Sequence, residues 1–415
     1  MRHATVFAKG NFKPKGDFIL FSLENYGTLI LDGEDAINYR ETLNYLIESV
    51  NNEKISNKAI EKLFQRTILL ALDIEEKEKN ISFKSRIENA KKELINSLKA
   101  EPTIFSVYYP VQGISLEGLP LKVGNVLFCN FGKEHFKKVK NILIDHKDDE
   151  LTKQNKKVFL DFFKKSKTLG KLMGLIEIKA IDDKAAKELA KKEIISTLEI
   201  INFFGEFIPY QDGFAYLPGE QRERHAIFVP ILKQGPIPNV FFGGEVVGPL
   251  MPVPISKLQN PDKKIDFGFI KASNLLLKQR NKLEEKIISA LQWAGKAAIE
   301  SSKEKSFLLY AISLESLVLL ENDHDELTYR LRTRCAHLLG INIENRKKVS
   351  EKIDDLYKIR SKIVHSGWYQ VTDADLSLIR AYTLGCILRI LNEEPFSSMN
   401  DPKQLVEWFN EQILG

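Results

Sequence analysis

The sequence has few cysteines and no long apolar run, and both shortages narrow the class of protein. Three cysteines occur in 415 residues, and they stand far apart at Cys129, Cys335 and Cys386. This spacing fits neither a zinc site nor a disulfide framework, so we expect reduced cysteines in the core. No apolar run approaches the roughly 18 residues of a membrane-spanning helix. The polar start MRHATVFAKGNFK lacks the apolar segment of a signal peptide, so we expect a cytoplasmic protein with no membrane partner.

A strong charge of one sign is also missing. The chain carries 61 Lys and Arg residues against 56 Asp and Glu residues, which gives a formal net charge of +5. This small excess is compatible with a nucleic-acid partner but does not require one. Hydrophobic residues make up 43% of the chain and charged residues 28%, as in ordinary folded proteins. The length predicts two or three domains.

Local patterns predict an α+β N-terminal region over residues 1–270, of one or two subdomains. Its predicted strands cover residues 18–23, 28–31, 103–109, 123–128, 175–178, 226–231 and 240–242. Its predicted helices cover residues 34–50, 57–77, 83–99, 153–166 and 184–204. Prolines in PLMPVPISKLQNP, residues 249–261, disfavour helix and predict a linker or domain edge. For this region we expect a sensing, regulatory or substrate-binding role.

Residues 271–415 are predicted to form an all-α helical bundle. Strand patterns disappear here, and amphipathic helices are predicted at residues 283–301, 305–321, 325–339, 344–365 and 373–391. On the third of these helices, arginines alternate in YRLRTR. Arg330 and Arg334 share a face that could contact RNA phosphates, whereas Arg332 is expected to be solvated.

The fourth bundle helix carries an arginine within its apolar stripe. The stripe expected to face the core consists of Val349, Ile353, Leu356, Ile363 and Val364. Arg360 falls within it and needs a partner, because an isolated buried charge is strongly unfavourable. Glu315, in the apolar run of the second bundle helix, is the nearest carboxylate by pattern. The pair could hold the guanidinium for function, or it could be a purely architectural ion pair.

His365 follows Arg360 by five residues. On an ideal helix the two side chains point roughly 140° apart, so they converge poorly within one chain. Gly367 predicts the end of the helix and places His365 in the last turn, where its direction is adjustable. Two roles stay open for His365, one as a proton donor or phosphate contact and the other as a capping residue.

Three segments, in this order, resemble the Apea-like branch of the HEPN superfamily. They are LLYAISLESLVL, DELTYRLRTRCAHLLG and KIDDLYKIRSKIVHSG, and the last contains an Arg-x4-His spacing in RSKIVH. The resemblance covers residues 282–391, about a quarter of the chain. Active members often carry Asn, Asp or His directly after the arginine, whereas this chain has Ser361, which the Apea-like branch tolerates.

The resemblance implies a helical bundle that dimerises so that the Arg-x4-6-His motifs of two subunits meet in one cleft. For active members it implies metal-independent RNA cleavage, without a cofactor, in toxin, anti-phage or stress systems. The resemblance implicates Arg360 and His365 as catalytic residues. The other predicted site residues are Glu315, Tyr357 and Ser361 as supporting residues and Arg330, Arg334 and Lys362 as RNA-binding residues.

Two functions follow as hypotheses. The first is an endoribonuclease effector whose N-terminal region senses a phage or protein trigger or holds the helical domain inactive. The second is a non-catalytic HEPN module that binds a nucleotide or a protein as a scaffold, antitoxin or sensor.

Overall fold

A computed structural model describes residues 5–7, 18–23, 27–50, 52–72, 82–137, 170–208, 214–217, 252–259, 267–320, 326–367 and 370–414. The chain divides into two compact units, one from Met1–Val107 and Glu177–Lys191 and the other from Tyr108–Ile176 and Lys192–Gly415. This division falls at other positions than the predicted boundary near residue 270. The predicted strands 226–231 and 240–242 and the predicted helix 153–166 lie outside the described residues.

The first unit combines a small antiparallel sheet with helices. Strands β1 (Thr5–Phe7), β2 (Phe18–Leu23) and β3 (Gly27–Asp32) pair in the order β1-β3-β2. Helices α1 (Gly33–Val50), α2 (Asn57–Leu72) and α3 (Phe83–Leu98) follow, and α4 (Asp183–Gly205) begins in this unit. The buried cluster of the unit contains Leu31, Ala36, Tyr39 and Ile68. The predicted strands and helices of this part are confirmed at closely similar bounds, except that residues 73–77 of the predicted helix 57–77 lie outside the described residues.

Asp182 joins the starts of two helices in the first unit. Its carboxylate accepts hydrogen bonds from the backbone N–H and the hydroxyl of Ser56, both at 2.8 Å, just before α2. It also accepts the backbone N–H groups of Lys184 and Ala185 at 3.0 Å, at the start of α4. Burial alone would raise the pKa of Asp182, but these hydrogen bonds outweigh burial and hold the pKa below its ordinary value.

Replacing Asp182 by asparagine is expected to lower the free energy of unfolding by about 1 kcal/mol near neutral pH, because the amide keeps one acceptor oxygen but leaves the Ser56 N–H without its acceptor Oδ2. A carboxyl whose folded-state pKa is lowered stabilises the fold above its unfolded-state pKa, and this stabilisation is lost as the pH falls through the folded-state pKa. Chemical denaturation should therefore show a smaller difference in unfolding free energy between wild type and Asp182→Asn near pH 3 than near neutral pH. Asp183→Asn is the matched control, because its exposed pair with Lys187 is expected to contribute almost nothing. A loss of unfolding free energy in Asp182→Asn that is equal at both pH values would contradict the prediction.

A four-stranded sheet has the order β4-β8-β7-β6. Its strands are β4 (Thr103–Pro110), β6 (Leu121–Val123), β7 (Val126–Asn130) and β8 (Leu172–Ala180). The prediction of one strand over residues 123–128 is wrong, because β6 and β7 form a hairpin that turns at Gly124, where φ is +54°. The Gly124 N–H donates to the Ser273 hydroxyl at 2.9 Å, which secures the turn. The short strand β5 (Ile114–Ser115) pairs in parallel with β9 (Val253–Pro254).

The second unit contains the helical bundle. Its helices are α5 (Ile255–Gln259), α6 (Phe269–Leu275), α7 (Lys282–Ile299), α8 (Lys303–Val318), α9 (Leu327–Leu339), α10 (Ile343–Ser366), α11 (Asp373–Asn392) and α12 (Pro402–Leu414). The predicted bundle helices correspond to α7 to α11 and are confirmed at closely similar bounds. Capping boxes at Asn281 and Thr372 begin α7 and α11, and Gly367 ends α10 at a φ of +69°. Within the described ranges, no helix is both long and apolar enough to cross a membrane.

Candidate functional site

Helix α10 presents a core stripe that differs from the predicted one. Its buried residues are Val349, Ile353, Leu356, Ile359 and Ile363. Val364, which was predicted to face the core, is 50% exposed, and Ile359 takes its place. Because the stripe runs through Ile359 and Ile363, Arg360 lies at its edge rather than in its middle, and the side chain of Arg360 is 31% exposed. The guanidinium therefore reaches the surface of the bundle.

The predicted contact between Arg360 and Glu315 is confirmed. The Arg360 Nε donates to the Glu315 Oε1 at 3.2 Å, and the Glu315 side chain is 23% exposed. The Tyr357 hydroxyl donates to the same carboxylate oxygen. The Arg360 guanidinium carbon lies 5.9 Å from the centroid of the Tyr357 ring, within the range of a cation–π contact. Glu315 thus orients two side chains of α10, and the site is half-buried.

Burial and the neighbouring Glu315 carboxylate raise the pKa of Tyr357 far above its ordinary value. Tyr357 therefore keeps its proton at physiological pH and acts as a hydrogen-bond donor. It supports the Glu315 carboxylate and does not serve as a base.

The end of α8 that carries Glu315 is capped by two cations. The Lys286 Nζ donates to the carbonyl oxygens of Ser316 at 2.8 Å and Leu319 at 2.6 Å. The Arg334 Nη1 donates to the carbonyl oxygen of Val318 at 2.7 Å. Unsatisfied carbonyl groups at a helix C-terminus attract such donors, so both side chains fix the turn next to Glu315. Sequence reasoning missed Lys286, because a single lysine on an amphipathic helix gives no sign of its distant acceptors.

The prediction that Arg334 contacts RNA is wrong. Arg334 is only 5% exposed, and its guanidinium lies 5.7 Å from the ring centroid of Phe409 on α12. It does not share a free face with Arg330, which is half-buried. Arg332, which was expected to be solvated, pairs with Asp354 of α10 at 3.5 Å and has a side chain 37% exposed. These contacts join α9 to α8, α10 and α12.

The other predicted site residues lie on the surface of α10. Ser361, Lys362 and His365 are exposed, and His365 lies in the last turn of the helix, as expected. Within the described part of the chain, no hydrogen bond holds the imidazole of His365 in a capping position. The side chain is therefore accessible to solvent or to a ligand.

A metal site is not found within the described ranges. No group of three or more His, Cys, Asp or Glu side chains is placed there to hold an ion. The chemistry that the site offers consists of a guanidinium, a carboxylate, a phenol and an imidazole.

Comparison with known proteins adds no relative. No family model matches the chain, and neither a curated protein nor a solved structure matches it.

Proposed function

We propose that this protein is a metal-independent endoribonuclease effector of a defence or toxin-type system, with a HEPN-like bundle that cleaves RNA at a site containing Arg360 and His365. The observation that carries this proposal is that the Arg360 guanidinium is both oriented and exposed. Glu315 and Tyr357 orient its guanidinium, yet almost a third of the side chain remains exposed at the surface. An oriented and accessible guanidinium is well suited to bind a phosphate.

The proposed reaction is attack by a ribose 2′-hydroxyl on the adjacent phosphate. The attacking oxygen loses its proton and the leaving 5′-oxygen gains one, so the step needs a group that can transfer protons. His365 supplies this group, because an imidazole can both accept and donate a proton. Arg360 stabilises the negative charge that develops on the phosphoryl oxygens. Ser361 and Lys362 lie on the exposed surface of the same helix, where Lys362 is suited to contact the RNA backbone.

A homodimer would bring the two catalytic groups together. Side chains five residues apart on a helix point roughly 140° apart, so Arg360 and His365 diverge within one chain. A second copy facing α10 would bring an arginine and a histidine from the two copies close together. Exposed apolar side chains support such a contact, since Val364 is 50% exposed beside His365. Tyr329 on α9 is 49% exposed, and the antiparallel pairing of α9 with α10, marked by Arg332 and Asp354, brings it toward the same end of α10. A dimer would cover such residues.

The test uses purified full-length protein and a single-stranded RNA with a fluorescent label at one end. Cleavage is expected in excess EDTA at the same rate as with magnesium, and the products should carry 2′,3′-cyclic phosphate ends. The protein should elute as a dimer in size-exclusion chromatography with light scattering. Cleavage that requires a divalent metal, or no cleavage of any RNA, would overturn the proposal. The N-terminal region is expected to hold the trigger response, and the expected location is the cytoplasm.

One observation favours the non-catalytic alternative. The carboxylate of Glu206 accepts hydrogen bonds from the Tyr310 hydroxyl at 2.8 Å and from the Arg380 Nε at 3.1 Å. This cluster repeats the glutamate–tyrosine–arginine arrangement of Glu315 without a neighbouring Arg-x4-His motif, so the bundle also uses the arrangement for architecture. If the alternative holds, expression causes no growth arrest. Growth arrest that depends on His365 would contradict it.

A further inference from the structure

The last turn of α8 is tied to α7 by hydrogen bonds on both sides of Glu315. Before Glu315, the buried Ser313 hydroxyl donates to the carbonyl oxygen of Ala290 at 2.7 Å. Directly after Glu315, the carbonyl oxygen of Ser316 accepts the Lys286 Nζ at 2.8 Å. Glu315 therefore lies in a turn that α7 holds at both ends.

Lys286 closes the C-terminal end of this turn. The last carbonyl groups of an α-helix have no partner within the helix, and helix ends fray unless other groups bond to them. In α8 the Glu315 carbonyl accepts the N–H of Leu319 at 3.0 Å, and the Leu319 carbonyl accepts the Lys286 Nζ at 2.6 Å. The same ammonium group thus bonds to the carbonyls of both Ser316 and Leu319. Without it, the turn loses its anchor to α7 on the C-terminal side of Glu315.

The side chain of Glu315 transmits this constraint to α10. Its Oε1 accepts the Arg360 Nε at 3.2 Å and also the Tyr357 hydroxyl. Because the carboxylate orients Arg360 from its own backbone position, a movement of the turn would move the guanidinium as well. A misplacement of about 1 Å at a catalytic group can lower a rate roughly a hundredfold. The site therefore requires a rigid end of α8.

A lysine that is half-buried is an unusual way to end a helix for stability alone, because its charge loses water. A left-handed glycine ends a helix without this penalty, as Gly367 does for α10. Helix α8 instead ends at Leu319 in an extended conformation, with φ of −100° and ψ of 147°. Its terminal carbonyls depend on side chains from other helices, so the position of Glu315 depends on Lys286.

From these contacts we propose that Lys286 is a positioning residue for the Glu315–Arg360 pair: it holds the last turn of α8 so that Glu315 keeps Arg360 in place. Lys286 acts through Glu315 and takes no part in the chemistry. Its effect on RNA cleavage rests on the proposed function, whereas its effect on Arg360 is measurable without RNA.

Lys286→Met tests the kinetic consequence in the full-length protein, because methionine keeps much of the aliphatic stem and removes the donors. The single-turnover rate at saturating RNA is expected to fall about tenfold, because a displaced guanidinium stabilises the transition state poorly. The RNA concentration at half-saturation is expected to change by less than about twofold, because Lys286 acts on kcat through Arg360. Lys286→Arg keeps donors and a positive charge, and it is expected to recover the rate to within about threefold of wild type.

Lys282→Met is the matched control, because Lys282 is an exposed lysine in the first turn of the same helix. It is expected to keep the wild-type rate within about twofold. Thermal denaturation shows whether each variant is folded. Lys286→Gln, whose amide can still donate to one carbonyl, is a milder second variant and is expected to show a smaller loss of rate in the same direction.

Side-chain ¹H–¹⁵N spectra report on Arg360 without RNA. The Arg360 Nε–H signal, identified by its loss in Arg360→Lys, is expected to shift and to exchange faster with water in Lys286→Met, and to stay unchanged in Lys282→Met. An unchanged Arg360 signal in folded Lys286→Met, an equal change in Lys282→Met, or a loss in RNA affinity alone would rule out this role of Lys286. A shifted signal in a protein that cleaves no RNA would support the role of Lys286 and contradict only the proposed function.

Discussion

Replacing His365 by alanine is expected to slow RNA cleavage by about 10²–10⁴-fold, the usual contribution of a general acid–base residue. The imidazole is exposed in the last turn of α10, so its removal leaves no cavity in the core and should not change the stability of the fold. The measurement is the single-turnover rate in EDTA with wild-type and variant protein. Thermal denaturation of both proteins shows whether the fold is intact.

Lys352→Ala is the matched control for this experiment. Lys352 is an exposed residue of the same helix, more than one turn away from the Arg-x4-His motif. It is expected to retain the wild-type rate within about twofold, because a single solvated charge contributes little. A rate for His365→Ala close to wild type would remove His365 from the mechanism. An equal loss in Lys352→Ala would indicate a general effect of α10 on RNA binding.

The sequence predicted α7 to α11 well because their signals are local. Asn281 and Thr372 mark where α7 and α11 begin, and Gly367 marks where α10 ends. Such residues act on backbone groups within a few positions, so a single sequence suffices to recognise them. The same local reasoning gave a wrong prediction for residues 123–128. Most of these residues are apolar and were predicted as one strand, but a turn at Gly124 divides them between β6 and β7.

Contacts between distant elements were predicted unevenly. Glu315 was identified because a charge inside an apolar stripe requires a partner, and a carboxylate lay in a matching run. Arg334 was misassigned because its acceptor is the backbone carbonyl of Val318. Every residue has such a carbonyl, so the amino-acid sequence does not indicate which one accepts from a distant side chain. The prediction that Val364 rather than Ile359 belongs to the buried stripe was wrong for a similar reason. Both are apolar residues near the edge of one helix face, and packing against neighbouring helices decides which of them is buried.

Replacing Glu315 by alanine is expected to lower the free energy of unfolding by about 2 kcal/mol, between the values for exposed and fully buried ion pairs. The Arg360 side chain is 31% exposed, so water compensates part of the lost contact. The Tyr357 hydroxyl loses its acceptor as well. Glu315→Gln keeps a carbonyl oxygen for Tyr357 and should cost only about 1 kcal/mol. Glu344→Gln, which breaks the exposed pair with Lys348, should cost less than about 0.5 kcal/mol in the same urea titration.

Loss of stability alone would fit an architectural pair, so the role of Glu315 in positioning Arg360 needs a second measurement. If Glu315 orients Arg360 toward a phosphate, Glu315→Gln should lower kcat about tenfold or more while the protein remains folded, because a misplaced guanidinium stabilises the transition state poorly. Arg360→Lys should also lower kcat, because an ammonium cannot reproduce the planar fork of donors. The double variant should then be no slower than Arg360→Lys alone, since Glu315 acts only through Arg360. Multiplication of the two losses in the double variant would show that Glu315 does not act through Arg360, and an unchanged kcat in Glu315→Gln would show that the pair is architectural.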